Sequence, residues 1–282
     1  MTQIKVAELF YSLQGEGKYL GTPSIFLRTF GCNFQCQGFS MPRGELSTER
    51  EQIDPSKYER YEDLPLVHTG CDSYASWDPR FKHLSPMRSI DNIVDKMEEL
   101  LPGGKFGSDK HLIITGGEPL LGWQKSYIEL LEEIRSRDMK LTNITFETNG
   151  TQFLLTQLEE YLDSFPVNIT FSVSSKLPSS GEKWSQAIRP RVIEQYYDVG
   201  DVYFKWVVSS VQDMNDIDSA IFNYTDILGT KMNNIPIYIM PSGGTTKYYD
   251  TNETWVSNLA MERGWRYSPR LQVQLWKNAW GS

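Results

Sequence analysis

The chain has 282 residues, of which 39% are apolar and 23% charged, and this composition excludes a fully disordered polymer. Its net charge of −8 argues against binding nucleic acid through phosphate contacts, because proteins that do so carry a basic face. No apolar run approaches the roughly 18 residues of a membrane span, and the first residues do not resemble a signal peptide. We therefore expect a cytoplasmic protein that acts on a small molecule, without membrane or direct nucleic-acid contact.

Two strand-like runs open the chain, at 4–10 and 24–30. A polar, glycine-rich turn, Gln14-Gly-Glu-Gly17, lies between them. The second run ends at Gly31, directly before Cys32. This order predicts a pair of strands followed by a loop that carries a thiol.

Residues 37–70 have a different character from the rest of the chain. They are rich in charged side chains, contain prolines at 42, 55 and 65, and show little apolar periodicity. We predict that this segment is an excursion outside the sheet. No linker or internal repeat divides the chain, so we expect one domain spanning 1–282.

From about residue 89 onward, helical and strand patterns alternate, and Ser89 can cap the first helix. The predicted helices are 90–101, 124–137, 152–164, 190–198, 211–224 and 251–263. The predicted strands are 111–115, 143–148, 167–173, 202–208, 235–240 and 271–276. This alternation indicates βαβ units and a parallel sheet. About six units are too few for a closed eightfold barrel, so we predict an α/β fold in the form of a partial parallel barrel.

In such sheets the functional groups collect at the carboxyl ends of the strands. Suitable chemistry follows five of the predicted strands, in the segments Gly31-Cys32, Thr115–Pro119, Glu147–Gly150, Ser174–Lys176 and Pro241–Gly244. We therefore expect one site built from many loops.

The chain has only three cysteines, Cys32, Cys36 and Cys71, which is too few for a disulfide framework. By number alone they would be unrelated buried thiols. Cys32 and Cys36, however, directly follow a strand and are separated by three residues, where thiolates can bind one soft metal centre. A third ligand in a Cys-x3-Cys-x2-Cys loop would occupy position 39, which is Phe39.

Taken with the cysteines, several motifs make the chain resemble the 7-carboxy-7-deazaguanine synthase family of radical S-adenosylmethionine (SAM) enzymes. They are Phe10–Gly17 (FYSLQGEG), Gly21–Arg28 (GTPSIFLR), Cys71–Trp77 (CDSYASW), Thr115–Pro119 (TGGEP), Phe204–Val208 (FKWVV) and Ser268–Trp276 (SPRLQVQLW). The resemblance covers nearly the whole chain apart from residues 37–70. It implies a radical SAM fold in which an insertion has displaced the third cysteine, so that Cys32, Cys36 and Cys71 bind one [4Fe–4S] cluster.

The resemblance also implies the residues that bind the other ligands. For SAM they are Asp72, Gly116, Gly117, Glu118, Glu147, Asn149, Ser174, Lys176, Met240 and Ser242. For the substrate they are Leu13, Gln14, Gly15, Glu16, Arg28, Thr115 and Gln272. Ser73 stands where the family has a threonine that binds Mg²⁺, and serine keeps the oxygen ligand. Gln272 stands where a substrate-contacting histidine is expected, and glutamine cannot carry a proton.

Several of these residues also have an ordinary structural interpretation. Glu16 and Arg28 can form a solvated ion pair, and the glycines at 116 and 117 can serve only a turn between a strand and a helix. Glu118 can cap that helix through its carboxylate. As site residues, Arg28 would bind a carboxylate through its planar fork, and Glu16 would accept from an amino-pyrimidinone edge.

By resemblance, the enzyme is a lyase that contracts the ring of 6-carboxy-5,6,7,8-tetrahydropterin to 7-carboxy-7-deazaguanine with loss of ammonia. Its cofactors would be a [4Fe–4S] cluster, SAM and Mg²⁺. A flavodoxin or ferredoxin would donate electrons, and the chain would form a homodimer. Two alternatives remain: another small radical SAM enzyme such as a glycyl-radical activase, or a binding module without a cluster. A brown protein with about four irons per chain would favour an enzyme over the binding module.

Overall fold

One sheet of nine strands runs through the described part of the chain, residues 2–249 and 251–282, in the computed structural model. The side chains of Lys247 and Tyr248 are not described. The strands are β1 (Gln3–Leu13), β2 (Pro23–Thr29), β3 (Met87–Ser89), β4 (His111–Gly116), β5 (Asn143–Thr148), β6 (Asn168–Val173), β7 (Asp201–Val208), β8 (Ile237–Pro241) and β9 (Arg266–Tyr267). Their order in the sheet is β3-β1-β2-β4-β5-β6-β7-β8-β9.

The sheet is mostly parallel and open. Strands β2 and β4 to β9 pair in parallel, whereas β1 is antiparallel to both β2 and β3. Six crossover connections link the seven parallel strands, and in the described residues β3 and β9 remain at opposite edges. The predicted α/β architecture of about six units is confirmed. Because the strands run in parallel, their carboxyl ends share one edge of the sheet.

Helices lie in the connections between the parallel strands. They are α1 (Ile90–Leu100), α2 (Gln124–Ser136), α3 (Thr156–Ser164), α4 (Trp184–Ala187), α5 (Pro190–Val199), α6 (Val211–Leu228), α7 (Thr246–Tyr249) and α8 (Glu253–Arg263). A further helix, α9 (Leu271–Trp276), follows the last strand. Ser89 caps α1 as predicted, since its side chain accepts from the backbone of Asn92. Within the described ranges, no helix is long and apolar enough to cross a membrane.

The core lies between the sheet and these helices, and aromatic rings stack through its centre. The rings of Phe146 and Phe171 lie 5.5 Å apart, and that of Tyr196 from α5 lies 4.3 Å from Phe171. All three side chains are buried. Each such pair contributes about 0.5–1.5 kcal/mol beyond the area that it buries, so the stack holds α5 against β5 and β6.

Residues 37–70 contain no strand, but they do contain three short 3₁₀ helices, at Glu49–Gln52, Pro55–Lys57 and Tyr61–Asp63. The segment builds a small core of its own, in which Tyr61 and Leu64 pack with the following Tyr74. The indole of Trp280 closes this core, because it lies edge-on to Tyr61 and donates to the carbonyl of Leu64. The excursion is therefore a packed unit beside the sheet.

The prediction of a last strand at 271–276 is wrong, because these residues form α9 and the last strand is β9. The alternation Leu-Gln-Val-Gln-Leu predicts a strand only if one face is buried. Here Val273 is buried, whereas Leu275 is 54% exposed. The backbone N–H of Leu271 donates to the carbonyl of Gly15 at 2.9 Å, which turns the segment across the carboxyl ends of the strands.

Candidate active site

A cavity of about 250 Å³ opens at the carboxyl ends of the parallel strands. Loops after β2, β4, β5, β6 and β8 contribute to its wall, together with the N-terminal turn and α9. With the exception of Glu118, every residue predicted to bind the cluster, SAM, Mg²⁺ or substrate lines it. Residues far apart in the sequence therefore form one site, as the shared edge of a parallel sheet requires.

The three cysteines meet at one end of this cavity. All three are free thiols, and they pack around the same apolar group formed by Phe34 and Ala187. Cys71 returns to the loop because the N–H of Gly70 donates to the carbonyl of Phe39 at 2.8 Å. This hydrogen bond brings the end of the excursion back to Phe39, the position at which a shorter loop would carry its third cysteine. Cys71 follows directly after Gly70 and therefore lies close to that position.

The donor set fits an iron–sulfur cluster better than a single metal ion. Among the described residues, no three His, Cys, Asp or Glu side chains lie close enough to share one ion. A four-iron cluster is wider than an ion and is held by cysteine thiolates. Burial raises the pKa of Cys32 to about 12 and also raises the pKa values of Cys36 and Cys71. Bound iron would supply the positive charge that stabilises thiolates here.

The loop that carries Cys32 and Cys36, called the cluster loop below, is held by the carboxylate of Glu182, which sequence reasoning missed. One oxygen of Glu182 accepts from the backbone N–H groups of Gln35 and Cys36, both at 2.8 Å. These bonds support an unusual backbone, because Cys36 has a positive φ of 52°. Nothing in the local sequence pairs Glu182 with a loop almost 150 residues away.

Gly117 allows the loop after β4 to pass directly under the cluster loop. A Cβ at this position would lie 2.4 Å from the carbonyl oxygen of Gly31 and 2.6 Å from the Cβ of Cys32. No side chain fits without moving the cysteine. The glycine is therefore explained by close packing against a proposed cluster ligand.

We expect Gly117→Ala to lower the iron content of the purified protein, because the added methyl displaces Cys32. Overpacking of this kind costs about 1–3 kcal/mol. The matched control is Gly122→Ala in the same loop, where a Cβ meets nothing within 4 Å. Iron and sulfide analysis after anaerobic purification measures the effect. Equal iron content in wild type and Gly117→Ala would show that the contact with Cys32 is not critical.

Glu118 does not line the cavity, although a direct contact with SAM was expected for it. Its carboxylate accepts from the N–H of Asn149 at 2.7 Å, the hydroxyl of Thr148 at 2.8 Å and the N–H of Leu120 at 3.1 Å. Burial raises its pKa to about 7. Glu118 therefore links the loop after β4 to the end of β5 and to the loop that follows it.

At the other end of the cavity, Glu16 is bound by two basic side chains and one amide. Its carboxylate accepts from Lys205 at 2.5 Å, from Gln272 at 2.7 Å and from Arg270 at 3.0 Å. Lys205 and Arg270 hold the pKa of Glu16 well below its usual range, although burial acts in the opposite direction. Glu16 is therefore a fixed, ionised acceptor.

Sequence reasoning did not select Lys205 or Arg270, although both belong to motifs that carried the resemblance. A usable signal existed for Lys205, a charged residue within the apolar strand Val202–Val208. No comparable signal marked Arg270. Its importance becomes visible only when α9 folds over the cavity.

Arg28 is not a solvated surface residue. Its Nε donates to Glu8 at 2.7 Å, and the side chains of Arg28 and Glu8 are only 18% and 5% exposed. A terminal nitrogen of Arg28 lies 3.3 Å from the hydroxyl of Ser73. The alternative of a solvated pair between Glu16 and Arg28 is therefore wrong: the partner of Arg28 is Glu8, and this pair lines the cavity.

Other predicted residues are held in the cavity wall by hydrogen bonds. Gln14 donates to Glu147 at 3.1 Å, and Lys176 donates to Ser174 at 3.0 Å. Asn149 donates to Asn33 in the cluster loop at 2.9 Å. These contacts order the polar wall of the cavity.

The lining also presents polar atoms suited to a ligand. Glu8 Oε1, Ser172 Oγ and Gln272 Oε1 are buried and, in the ranges described, have no hydrogen-bond partner. Buried polar atoms are normally satisfied, so these atoms are candidates to bind a polar molecule. The site therefore combines three thiols with polar atoms that can bind a ligand.

Comparisons with known proteins agree with this arrangement. Residues 13–193 match the family model described as a 4Fe-4S single cluster domain. A 7-carboxy-7-deazaguanine synthase from Halobacterium salinarum is 31% identical over 98% of this chain and 91% of that protein. One from Pyrobaculum aerophilum is 25% identical over 99% of this chain and 97% of that protein.

A solved structure supports the fold independently. The crystal structure of QueE from Escherichia coli superposes with a TM-score of 0.55 at 19% identity, covering 95% of this chain and 94% of that one. The suspected family resemblance is confirmed by the sequence relatives, and the fold by the solved structure. On these grounds the chain belongs to the 7-carboxy-7-deazaguanine synthase family of radical SAM enzymes.

Proposed function

We propose that this protein converts 6-carboxy-5,6,7,8-tetrahydropterin to 7-carboxy-7-deazaguanine and ammonia. The observation that carries the proposal is a single cavity lined by three free thiols, by Glu16 with its basic partners, and by the contact of Arg28 with Ser73. Cys32, Cys36 and Cys71 would hold a [4Fe–4S] cluster. The cluster and SAM together supply the one-electron chemistry that removes a hydrogen atom from the substrate.

The ionised Glu16 suits the amino-pyrimidinone edge of a pterin. That edge presents N–H donors, and a carboxylate has about four lone-pair sites, more than the three bonds that it already accepts. Gln14 lies beside it, since its side-chain oxygen accepts from the backbone N–H of Glu16 at 3.1 Å. Because these groups are fixed before binding, little ordering is needed when the pterin enters.

Arg28 and Ser73 would bind the substrate carboxylate. Arg28 has further N–H donors beyond the one given to Glu8, and its planar fork matches a carboxylate. Ser73 would hold Mg²⁺ through its hydroxyl, with water and the substrate carboxylate as further oxygen ligands. The 3.3 Å separation of Arg28 and Ser73 supports a shared role for them.

SAM would occupy the region between the thiols and the pterin. Gly116 and Gly117 give its methionine end access to backbone groups, and Lys176 and Ser174 supply a cation and a hydroxyl. The chemistry needs a one-electron donor, for which we propose a flavodoxin or ferredoxin. We also propose that the protein forms a homodimer and is located in the cytoplasm.

An anaerobic assay with the carboxy-tetrahydropterin, SAM and dithionite tests this function. Mass spectrometry should show a product that has lost ammonia, and omission of SAM should abolish it. Cleavage of SAM without consumption of the pterin would point instead to another radical SAM enzyme, such as a glycyl-radical activase. A colourless protein that holds no iron after anaerobic reconstitution would favour the binding module.

Changing Ser73 tests the proposed Mg²⁺ site. We expect Ser73→Ala to raise the Mg²⁺ concentration needed for half-maximal turnover about 10- to 100-fold, the usual scale for losing a group that supports a metal site. Ser73→Thr keeps the oxygen and serves as the control, with a response close to wild type. The measurement is a titration of turnover with Mg²⁺. An unchanged titration in Ser73→Ala would remove Ser73 from the metal site.

A further inference from the structure

The indole of Trp77 donates a hydrogen bond to the sulfur of one proposed cluster ligand. Its Nε1 lies 3.4 Å from the Sγ of Cys71. Trp77 is only 8% exposed, and its ring packs with Tyr74 and Phe81 in the small core beside the sheet. The indole therefore approaches the ligand sulfur from the protein side, within an apolar surrounding.

An arginine of the excursion contacts this indole. The guanidinium carbon of Arg50 lies 4.6 Å from the centre of the Trp77 ring. One terminal nitrogen of Arg50 donates to Asp78 at 2.5 Å, and the other donates to the side-chain oxygen of Gln35 in the cluster loop at 3.2 Å. The Arg50 side chain is 14% exposed. One residue of the excursion thus joins the cluster loop to the indole that reaches a cluster ligand.

Arg50 supplies position rather than net charge. The charges of Arg50 and Arg80 are offset by the carboxylates of Asp78 and Glu51, which lie 2.5 Å and 3.9 Å from Arg50. Arg80 supports the same group, because it donates to Asp78 at 2.7 Å and to the backbone carbonyl of Arg50 at 3.0 Å. A planar guanidinium that is stacked on a ring and held at both terminal nitrogens restricts the rotation of that ring. The indole N–H is therefore kept directed at the sulfur.

The donor to Cys71 differs in kind from the donor to Cys32. The sulfur of Cys32 lies 3.4 Å from the backbone N–H of Phe34, two residues further along the same loop. That bond is local, and no substitution removes its donor except proline. The bond to Cys71 comes from a side chain, so a single substitution can delete it while the loop of the other two cysteines stays intact.

Hydrogen bonds to the sulfurs are one of the factors that set the reduction potential of an iron–sulfur cluster. Reduction adds one negative charge, which is shared with the ligand sulfurs. The positive end of an N–H dipole stabilises the more negative, reduced state more than the oxidised state, and burial strengthens this preference. A donor to Cys71 therefore raises the potential and makes reduction easier.

We propose that the excursion raises the reduction potential of the cluster through the hydrogen bond from Trp77 to Cys71, with Arg50 as the positioning residue for the indole. This inference rests on the proposed function in one respect, since it takes Cys71 as a cluster ligand. It gives residues 37–70 a role in the chemistry. The one-electron donor can then be a weaker reductant than the cluster would need without this bond.

The test is a redox titration of anaerobic, cluster-loaded protein without SAM or pterin, followed by electron paramagnetic resonance (EPR). Trp77→Phe keeps an aromatic ring and removes the N–H group. We expect it to lower the equilibrium constant for one-electron reduction about three- to tenfold, which corresponds to a potential about 30–60 mV more negative. An unchanged potential in Trp77→Phe would overturn the inference.

The matched control is Trp280→Phe. The indole of Trp280 packs against the same small core, but it donates to the backbone carbonyl of Leu64 rather than to a sulfur. This variant loses an indole N–H and the same packing area, so we expect a potential close to that of wild type. A shift equal to that of Trp77→Phe would mean that loosening of the core, and not the bond to Cys71, changes the potential.

Arg50→Lys tests the positioning role, because lysine keeps the charge and loses the planar stack. We expect a shift in the same direction as that of Trp77→Phe. The double variant Arg50→Lys/Trp77→Phe should show the shift of Trp77→Phe alone, because residues that act through one contact are not additive. Two shifts that add in the double variant would show that Arg50 does not act through the indole.

A measurement on wild type keeps the test decisive if Trp77→Phe does not retain its cluster. The protein is labelled with nitrogen-15 in its indole rings, loaded and reduced with dithionite. Pulsed EPR should then show a hyperfine coupling between the reduced cluster and an indole nitrogen, which Trp280→Phe retains. Absence of this coupling in wild type would exclude the hydrogen bond.

Failure of this inference is distinguishable from failure of the proposed function. A protein that holds no iron after anaerobic reconstitution, or a Cys71→Ala variant that keeps a full cluster, contradicts the cluster ligands themselves. A protein with about four irons per chain, in which wild type and Trp77→Phe have the same potential, contradicts only the role of Trp77.

Discussion

Replacing Cys71 by alanine is expected to remove the cluster and, with it, all cleavage of SAM. The chain has only three cysteines, and all three line the same end of the cavity. No further thiol is available to replace the lost ligand. Iron content should fall well below the roughly four irons per chain of a loaded [4Fe–4S] protein. Iron analysis and chromatography of 5′-deoxyadenosine after incubation with dithionite measure both effects.

The control for Cys71→Ala is Lys57→Ala, an exposed position within the same excursion. This variant should retain the iron content and activity of wild type. If Cys71→Ala instead keeps a full cluster and normal SAM cleavage, the third ligand lies elsewhere. The explanation of residues 37–70 as an insertion within the cluster loop would then be wrong.

Arg28→Ala is expected to raise the Michaelis constant for the pterin by thirtyfold to several thousandfold. Losing the charged partner of a buried carboxylate costs about 2–5 kcal/mol, which corresponds to that range. Iron content and SAM affinity without the pterin should change little, because Arg28 contacts Glu8 and Ser73 rather than the thiols. Steady-state kinetics with varied pterin measures the effect. A wild-type Michaelis constant would exclude the proposed position of the substrate carboxylate.

Arg28→Ala also leaves Glu8 buried without its partner, and breaking a buried pair typically costs about 3–5 kcal/mol of stability. Burial already raises the pKa of Glu8, so the carboxyl would take up a proton more readily. The double variant Glu8→Gln/Arg28→Ala removes this second effect. We expect it to recover stability without recovering the Michaelis constant. Recovery of both would mean that Arg28 acts only by neutralising Glu8.

How well the site was predicted depended on how local each signal was. The loops after β4 and β5 are short motifs at the carboxyl ends of parallel strands, so the sheet brings them together. The glycine-rich turn at 14–17 follows the antiparallel strand β1, and it joins the site through the contacts of Gln14 with Glu147 and of Glu16 with Lys205. The basic partners of Glu16, in contrast, are far from it in the sequence. Lys205 is 189 residues away and Arg270 is 254 residues away. No local periodicity carries information about pairs at that distance.

Glu118 lies in a motif that the sequence shows, but the partners of its carboxylate in the structure are not part of that motif. The motif Thr115–Pro119 does follow a strand, as predicted. Its carboxylate accepts from the hydroxyl of Thr148, the last residue of β5, and from the backbone N–H of Asn149 in the loop that follows. Neither donor can be read from the motif itself.

The sequence by itself determined the alternation of strands and helices, the site at the carboxyl ends of the strands and the three thiols available for a cluster. These follow from apolar periodicity and from chemistry carried by neighbouring residues. Only the tertiary structure decided that 271–276 is a helix, that Arg28 pairs with Glu8, and that Arg270 lies between Glu16 and Asp72. The physical reason is that a buried charge needs a partner, and packing between distant segments decides which partner is within reach.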